Sequence, residues 1–317
     1  MNHAIDVGAQ NIGSPVLWAS FLGALALVLA VDLKVSSREH STFKEAVWWS
    51  IFWVGLSLAF GVFVWSRYGS QQGLEFFAGY LLEKSLSVDN LFVFVLLFQS
   101  FAVPSRFQHR VLFWGVLGAI VLRGTLILAG VALVQRFHWV IAIFGAVLVY
   151  TAWKMLVHKQ DADRQPKDNP VVAWVASKLP MIETIEGPHF LVRRARRWYG
   201  TPLLLALVAA ETTDLVFALD SIPAVFAVTD DPFLVFSSNI CALLGLRALY
   251  FVVRGALARL RYLKPGLAAI LLFVGLKMLL FKWVHLPTGI SLSIIAAILA
   301  IALAVSLMRP LPPDAGS

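Results

Sequence analysis

The sequence predicts an all-α polytopic membrane protein, and three observations lead to that fold class. Of the 317 residues, 59% are hydrophobic and only 14% are charged, whereas soluble domains are about 45–50% apolar and about 25% charged. The apolar residues form runs of roughly 20, the length that an α-helix needs to cross a bilayer. Most Lys and Arg lie between particular runs, as membrane topology requires. One soluble core could not hide this much apolar surface.

About nine transmembrane helices follow from the apolar runs. Several of their ends carry tryptophan, for example Trp65 and Trp139, as is typical of residues at the membrane interface. We predict a single transmembrane domain over residues 1–317. Its spans are residues 15–33, 46–65, 74–99, 111–134, 139–157, 202–228, 232–253, 265–284 and 288–308.

The distribution of positive charge predicts that the N-terminus lies outside and the C-terminus inside. With that orientation, only Arg67, Arg136 and Lys282 lie on the outer side, in agreement with the positive-inside rule. Residues 158–200 form the one sizeable loop, which we predict to be cytoplasmic and basic. Within it, residues 171–179 could form a short interfacial helix. The net charge of +8 therefore reflects topology and does not indicate nucleic-acid binding.

Two stretches of the chain have similar short sequences at similar spacings. In residues 74–157, an Asp-Asn-Leu sequence at Asp89 is followed by Leu-Arg 34 residues later and by Lys-Met-Leu after another 31. In residues 202–284, Asp-Leu-Val at Asp214 is followed by Leu-Arg after 33 residues and by Lys-Met-Leu after another 30. Each unit holds three spans, so the second enters the membrane from the opposite side. The sequence thus predicts a 3+3 inverted-topology repeat, an architecture common among secondary transporters.

Carboxylates inside the predicted spans are the strongest functional signal. A charged residue at a helix centre costs roughly 2.5–3.5 kcal/mol on the insertion scale, so such residues normally face the bundle interior and have partners. The five acids are Glu83, Asp89, Glu211, Asp214 and Asp220. The supporting polar residues are Ser87, Asn90, Ser221 and Asn239. The basic residues that could compensate their charge are Lys84, Arg123 and Arg247.

The spacing of the acids in the sixth predicted span gives a first geometry. On a regular helix, Glu211 and Asp214 share a face, and Asp220 is turned away from Glu211 by about half a circle. Pro223 removes a backbone hydrogen bond, and we expect a kinked or broken helix there that brings Asp220 to the same cavity. The pair Asp230 and Asp231 follows this span and is expected to be a solvated turn, with an ion-collecting mouth as the alternative.

The types of ligand in this set favour hard cations. Carboxylate, amide, hydroxyl and carbonyl oxygens suit Mn²⁺, Mg²⁺ and Ca²⁺. All seven histidines lie in loops or at span ends, and Cys241 is the only cysteine, so zinc and thiol redox sites are disfavoured. The alternative is that some or all of the acids only form salt bridges that hold helices together. We predict no enzymatic activity and no permanent cofactor.

Long stretches of the chain resemble the TerC family of integral membrane proteins, and the nine-span layout is most similar to its Alx-like branch. The stretches that carry the resemblance are EKSLSVDNLFVF at residues 83–94, QHRVLFWG at 108–115, ETTDLVFALDSIPA at 211–224 and SNICALLGLRALYF at 238–251. The resemblance covers nearly the whole chain apart from the 158–200 loop. It implies that the five acids handle metal.

The resemblance also implies a function. The family is named for tellurium resistance, and its members are associated with manganese export and metal homeostasis. We therefore expect a secondary transporter that exports Mn²⁺ from the cytoplasm across a bacterial inner membrane, with proton exchange as the coupling. The alternative is a non-transporting interaction protein in stress or in metal supply to secreted proteins; an older label for the branch is membrane-bound redox modulator. A partner in the secretion machinery and a homo-oligomer are both left open.

Overall fold

The computed structural model describes residues 12–35, 43–137, 139–157, 169–182, 184–185, 187–194, 197–254, 262–280 and 286–308. Helices dominate this described part. They are α1 Pro15–Val35, α2 Phe43–Tyr68, α3 Ser70–Ser100, α4 Ser105–Arg136, α5 Val140–Val157, α6 Pro170–Lys178, α7 Pro202–Phe226, α8 Pro232–Leu243, α9 Leu246–Arg254, α10 Leu263–Leu279 and α11 Thr288–Met308. One antiparallel hairpin pairs β1 Leu191–Arg194 with β2 Arg197–Gly200.

The helices are those of a polytopic membrane protein. Six apolar stretches of the described part are helical and long enough to cross a bilayer, and Pro15–Val31 and Pro265–Leu279 are shorter apolar helices. The helix α3 has 31 residues, which correspond to about 46 Å at the rise of an α-helix. It is long enough to cross a bilayer, but it contains more charged residues than any of the six apolar helices does. The six are Phe43–Tyr68, Ser105–Val134, Val140–Val157, Pro202–Phe226, Pro232–Val252 and Thr288–Ser306.

The break that we expected at Pro223 is absent, and a different span is broken. Helix α7 continues through Pro223 to Phe226, although proline has no N–H to donate to the carbonyl of Leu219; membrane helices tolerate such a proline. The interruption lies between α8 and α9, where Leu244 has an extended ψ of 132° and Gly245 has a φ of +76°. Glycine adopts that left-handed conformation without steric cost. A Cβ at Gly245 would also clash with Trp53.

The helices of the two sequence units pack against each other rather than side by side as separate bundles. Helix α5 packs against α10, α3 against α8, and α4 against α7, and α3 also contacts α7. The α5–α10 crossing is close because glycines face each other there. A Cβ at Gly275 would lie 2.9 Å from the carbonyl oxygen of Gly145 and 3.0 Å from the Cβ of Leu148. Small residues at a helix crossing are typical of membrane proteins.

Gly275→Ala is expected to destabilise the protein by about 1–3 kcal/mol, the usual cost of adding a methyl group to a well-packed interface. The reason is that the new Cβ meets backbone and Cβ atoms, which move only if the helices separate. Gly55→Ala is the matched control, because a Cβ at Gly55 meets nothing within 4 Å. Thermal melting of the purified protein in detergent would show the difference. Equal melting temperatures for the two variants would contradict a close crossing at this point.

The segment between α5 and α7 contains a helix that the sequence predicted and a hairpin that it did not. Helix α6 begins after Asn169, whose side chain caps it by accepting from the Val171 amide at 2.9 Å. The predicted interfacial helix at residues 171–179 is therefore confirmed as a helix, shifted by one residue. The hairpin joins an arginine-rich stretch to the start of α7, with Arg193 opposite Trp198. Residues 158–168 lie outside the described part.

Candidate functional site

A single guanidinium is the centre of the buried charge. Arg123 lies on α4 and is fully buried. Its Nε and Nη2 donate to the two oxygens of Asp214 on α7, at 3.1 Å and 2.8 Å. Its Nη1 donates to the carboxylate of Glu83 on α3. The planar guanidinium suits this geometry, because its donors form a rigid fork that matches a carboxylate with two parallel hydrogen bonds.

An amide side chain completes this arrangement. The Nδ2 of Asn239, on α8, donates to the second oxygen of Glu83 at 3.0 Å, and its Oδ1 accepts from Arg123 at 3.4 Å. Asn239 and Glu83 are fully buried and Asp214 is 8% exposed. The side chains of four helices therefore meet in one hydrogen-bonded unit. We call Glu83, Arg123, Asp214 and Asn239 the central network.

Glu211 adjoins the central network without being bonded to it. It lies nearly one turn before Asp214 on α7, and the two carboxylates repel each other. In the described part of the chain, no side chain or backbone group donates a hydrogen bond to it. Its carboxylate lies against Gly118 on α4, where a Cβ would overlap it. If all four groups are ionised, the carboxylates of Glu83, Asp214 and Glu211 and the guanidinium of Arg123 have a net charge of −2.

Asp220 lies away from the central network, on the side of α7 that faces α5. It accepts a hydrogen bond from the Oγ1 of Thr151 at 3.0 Å, and the Lys154 ammonium is close enough to interact with it electrostatically. The helical periodicity predicted this separation from Glu211. Helix α7 is unbroken, and Asp220 bonds to Thr151 on α5 rather than to the central network, so the expected convergence of Asp220 on the same cavity is not observed.

The predicted supporting residues are buried, and two of them lack a partner. The hydroxyls of Ser87 on α3 and Ser221 on α7 have no hydrogen-bond partner in the described structure, although both residues are almost fully buried. Asn90 is 4% exposed. Buried polar groups without partners are rare and often mark an unseen water or ion. Neither hydroxyl is hydrogen-bonded to the central network in the described structure.

The remaining predicted site residues are placed differently. Asp89 belongs to α3, but its side chain lies outside the described part of the structure. Lys84 donates to backbone carbonyls of Ala242 and Leu244 rather than to an acid. Arg247 is half-buried in the first turn of α9. Among the side chains that the structure describes, no three His, Cys, Asp or Glu residues lie close enough together to hold a metal ion. The metal-binding role of the five acids stays a prediction.

Asp231 is a residue whose role the sequence interpretation missed. It is 5% exposed and so is not the expected solvated turn. Its carboxylate caps α8 by accepting from the amides of Phe233 and Leu234 at 2.8 Å and 3.0 Å, and it accepts from the Ile12 amide at 2.7 Å. Burial raises the pKa of the Asp231 carboxyl, and these hydrogen bonds oppose the rise. The signal was the Asp-Pro pair, since proline favours the first position of a helix and aspartate its cap.

Comparison with known proteins identifies the family. The model of the integral membrane protein TerC family matches residues 68–311. The chain belongs to the TerC family. The matched region runs from α3 to α11 and includes every residue of the central network. Helix α1 and nearly all of α2 precede it, so the family features lie in the part of the chain that carries the buried acids.

Bacterial relatives of this TerC-family chain match it over nearly its whole length. An uncharacterized membrane protein of Myxococcus xanthus, STKORF319, is 46% identical over 301 residues, which are 94% of both chains. Alx of Salmonella typhi is 45% identical over 308 residues, 94% of this chain and 95% of that protein. Alx of Escherichia coli (strain K12) is 44% identical over 308 residues, 94% of this chain and 96% of that protein. Both Alx proteins are described as proposed membrane-bound redox modulators. No solved structure matches the chain.

Proposed function

We propose that this TerC-family protein is a secondary transporter that exports a divalent cation, with Mn²⁺ as the favoured substrate, across the bacterial inner membrane. The observation that carries the proposal is the excess of acid in the buried charge. Arg123 compensates one of three neighbouring carboxylates, and Glu211 has no hydrogen-bond donor in the described structure. Carboxylates held only as helix contacts would be expected to occur with a matching number of bases, because unpaired charge in a bilayer is costly.

A divalent cation would remove the excess charge. The oxygens of the central network and of Glu211 belong to carboxylate and amide groups, which suit Mn²⁺, Mg²⁺ and Ca²⁺ better than soft metals. Among these ions, the resemblance to TerC proteins favours Mn²⁺. Protons are the alternative occupants of the same carboxylates, so exchange of metal for protons is the coupling that this site supports.

The pattern of helix packing supports a repeat of inverted topology. Suppose that α3, α4 and α5 correspond to α7, the α8–α9 pair and α10. Exchanging the two units then turns the α3–α8 contact into the α7–α4 contact, and it leaves the α3–α7, α4–α8 and α5–α10 contacts unchanged. All of these contacts are present. We propose on this basis that two such units rock about the central network. The nine-span arrangement with an outer N-terminus is proposed from the apolar runs and from the distribution of Lys and Arg.

The transport cycle would need a second arrangement of the central network. In the present one, Arg123 occupies the space between Glu83 and Asp214, and the acids do not converge on one point. A metal ion requires several oxygens at about 2–2.6 Å. We propose that relative movement of α3 and α7 makes the two acids accessible to the ion. The present arrangement, in which Arg123 binds both acids, would then form again when the ion has left.

Glu211→Gln is the variant that tests the proposed function. Mn²⁺ uptake by proteoliposomes under a pH gradient is expected to be saturable for the wild type and lost in Glu211→Gln. This variant is preferable to Asp214→Asn, because Glu211 accepts no hydrogen bond from the described residues, so its neutralisation leaves the network intact. Glu45→Gln, at an exposed acid in the first turn of α2, is the matched control and should transport normally.

The same experiment distinguishes a transporter from the alternative function, a non-transporting interaction protein. If well-folded wild-type protein gives no flux, or if Glu211→Gln transports as the wild type does, the buried acids act as helix contacts. The interaction-protein interpretation would then take precedence, and the hydrogen bonds of Arg123 to three other helices already fit it. Thiol chemistry, which the description of the Alx relatives could suggest, has no support here, since Cys241 is the only cysteine and is buried in α8.

A further inference from the structure

The break between α8 and α9 leaves backbone oxygens without helical partners. Helix α8 ends at Leu243, and the chain turns through Leu244 and Gly245 before α9 begins at Leu246. The last carbonyls of any helix have no intrahelical donor, and the helix dipole makes that end negative. This end is buried inside an apolar stretch, Pro232–Val252, where no bulk water can satisfy it. The broken span therefore needs a cation or donor at this place.

A lysine from another helix fills that need. The Nζ of Lys84, on α3, donates to the carbonyl oxygens of Ala242 at 3.1 Å and Leu244 at 3.3 Å. A third carbonyl of the same turn, that of Cys241, accepts from the hydroxyl of Ser57 at 3.1 Å. Lysine is a compact point charge with three donors and no acceptor, so its ammonium resembles a small monovalent ion.

The neighbour of this lysine links the break to the central network. Glu83 precedes Lys84 and accepts from Asn239, which lies on α8 nearly one turn before Ala242. Two consecutive residues of α3 therefore hold one short helix, Glu83 at its side and Lys84 at its end. The position of Asn239, and with it one oxygen of Glu83, depends on the end of α8 staying in place.

We propose that the α8–α9 break is a binding site for a small monovalent cation and that the ammonium of Lys84 is its permanent occupant. Unwound carbonyls and helix C-terminal ends are the groups that hold such ions in broken membrane helices. Because this occupant is covalently attached, the site is filled at any salt concentration. The protein then needs no free monovalent ion to hold the broken span. The inference stands apart from the proposed metal transport, because it concerns the integrity of the fold.

Removal of the lysine should create a dependence on monovalent salt. The purified full-length Lys84→Ala variant in detergent is expected to melt several degrees below the wild type in choline chloride. Replacing choline by Na⁺ or K⁺ at equal ionic strength should recover a clear part of that loss. The melting temperature of the wild type should not differ among the three salts. The melting temperature of Lys84→Arg should not differ among them either, because each protein carries its own cation.

Two further variants make the result decisive. Lys84→Met keeps much of the apolar stem, so its recovery by Na⁺ or K⁺ would support the site even if Lys84→Ala failed to fold. Lys277→Met removes a lysine that donates to one helix-end carbonyl, that of Ala227 at 3.3 Å, and should show no salt-specific recovery. The proposal is overturned if Lys84→Met melts as the wild type does in choline chloride, if neither Na⁺ nor K⁺ relieves its loss, or if Lys277→Met recovers equally.

Discussion

Arg123→Gln is expected to destabilise the protein by about 3–5 kcal/mol, the cost of removing one partner from a buried ion pair. The substitution leaves the carboxylates of Glu83 and Asp214 buried and without the guanidinium that binds both. Bulk water does not reach these groups in the wild type, because Arg123 and Glu83 are fully buried. Chemical or thermal unfolding of the purified protein in detergent would measure the loss.

Two controls test whether charge causes this loss. Arg136→Gln changes an exposed residue in the last turn of the same helix, which also lies over the Phe137 ring, and it should alter stability by no more than about 1 kcal/mol. Neutralising the whole set in Glu83→Gln, Arg123→Gln, Asp214→Asn should recover most of the stability, since a buried ion pair can often be replaced by neutral groups without loss. A single Arg123→Gln variant as stable as the wild type would show that the buried acids are already neutral or solvated.

Gly118→Ala is expected to reduce Mn²⁺ transport by about tenfold to a hundredfold, the range found when groups that position a metal ligand are changed. The new Cβ would occupy the space that the Glu211 carboxylate now fills. Only the end of a flexible side chain must move, so stability should change little. Initial rates of Mn²⁺ uptake over a range of concentrations would show whether the apparent affinity falls.

Gly115→Ala is the matched control for this variant. It makes the same change three residues earlier on α4, where a Cβ meets nothing within 4 Å, and its transport should equal that of the wild type. In both variants alanine replaces glycine and raises the intrinsic helix propensity by the same amount. A difference in transport between them therefore reflects the carboxylate alone. Normal transport by Gly118→Ala would mean that Glu211 functions equally well in another position, which would weaken its assignment as a metal ligand.

The periodicity of α7 allowed part of the site to be predicted from the sequence. A helix repeats its faces every 3.6 residues, so the placement of Asp220 on a different side from Glu211 followed from their numbers. Pro223 was misinterpreted, because the one hydrogen bond that a proline removes does not by itself end a membrane helix. The break at Gly245 went unnoticed, since isolated glycines also occur within intact membrane helices.

The pairing within the central network could not be predicted. Arg123 is 40 residues from Glu83 and 91 from Asp214, so their contact depends on how α3, α4 and α7 pack. The sequence offered three bases for five acids without distinguishing them. The structure assigns Arg123 to two acids and Lys84 to the end of α8. The apolar runs, in contrast, depend only on local composition, and every predicted run contains a helix.

The charge count around Arg123 has a consequence for the energetics of the proposed cycle. Three ionised carboxylates and one guanidinium carry −2, and either one divalent cation or two protons bring the sum to zero. Moving one elementary charge across a membrane changes the free energy by about 2.3 kcal/mol per 100 mV. An exchange of one Mn²⁺ for two protons transfers no net charge. Membrane voltage would then neither drive nor oppose export, and the proton concentration ratio alone would set the lowest ratio of cytoplasmic to external Mn²⁺ that the exchange can reach.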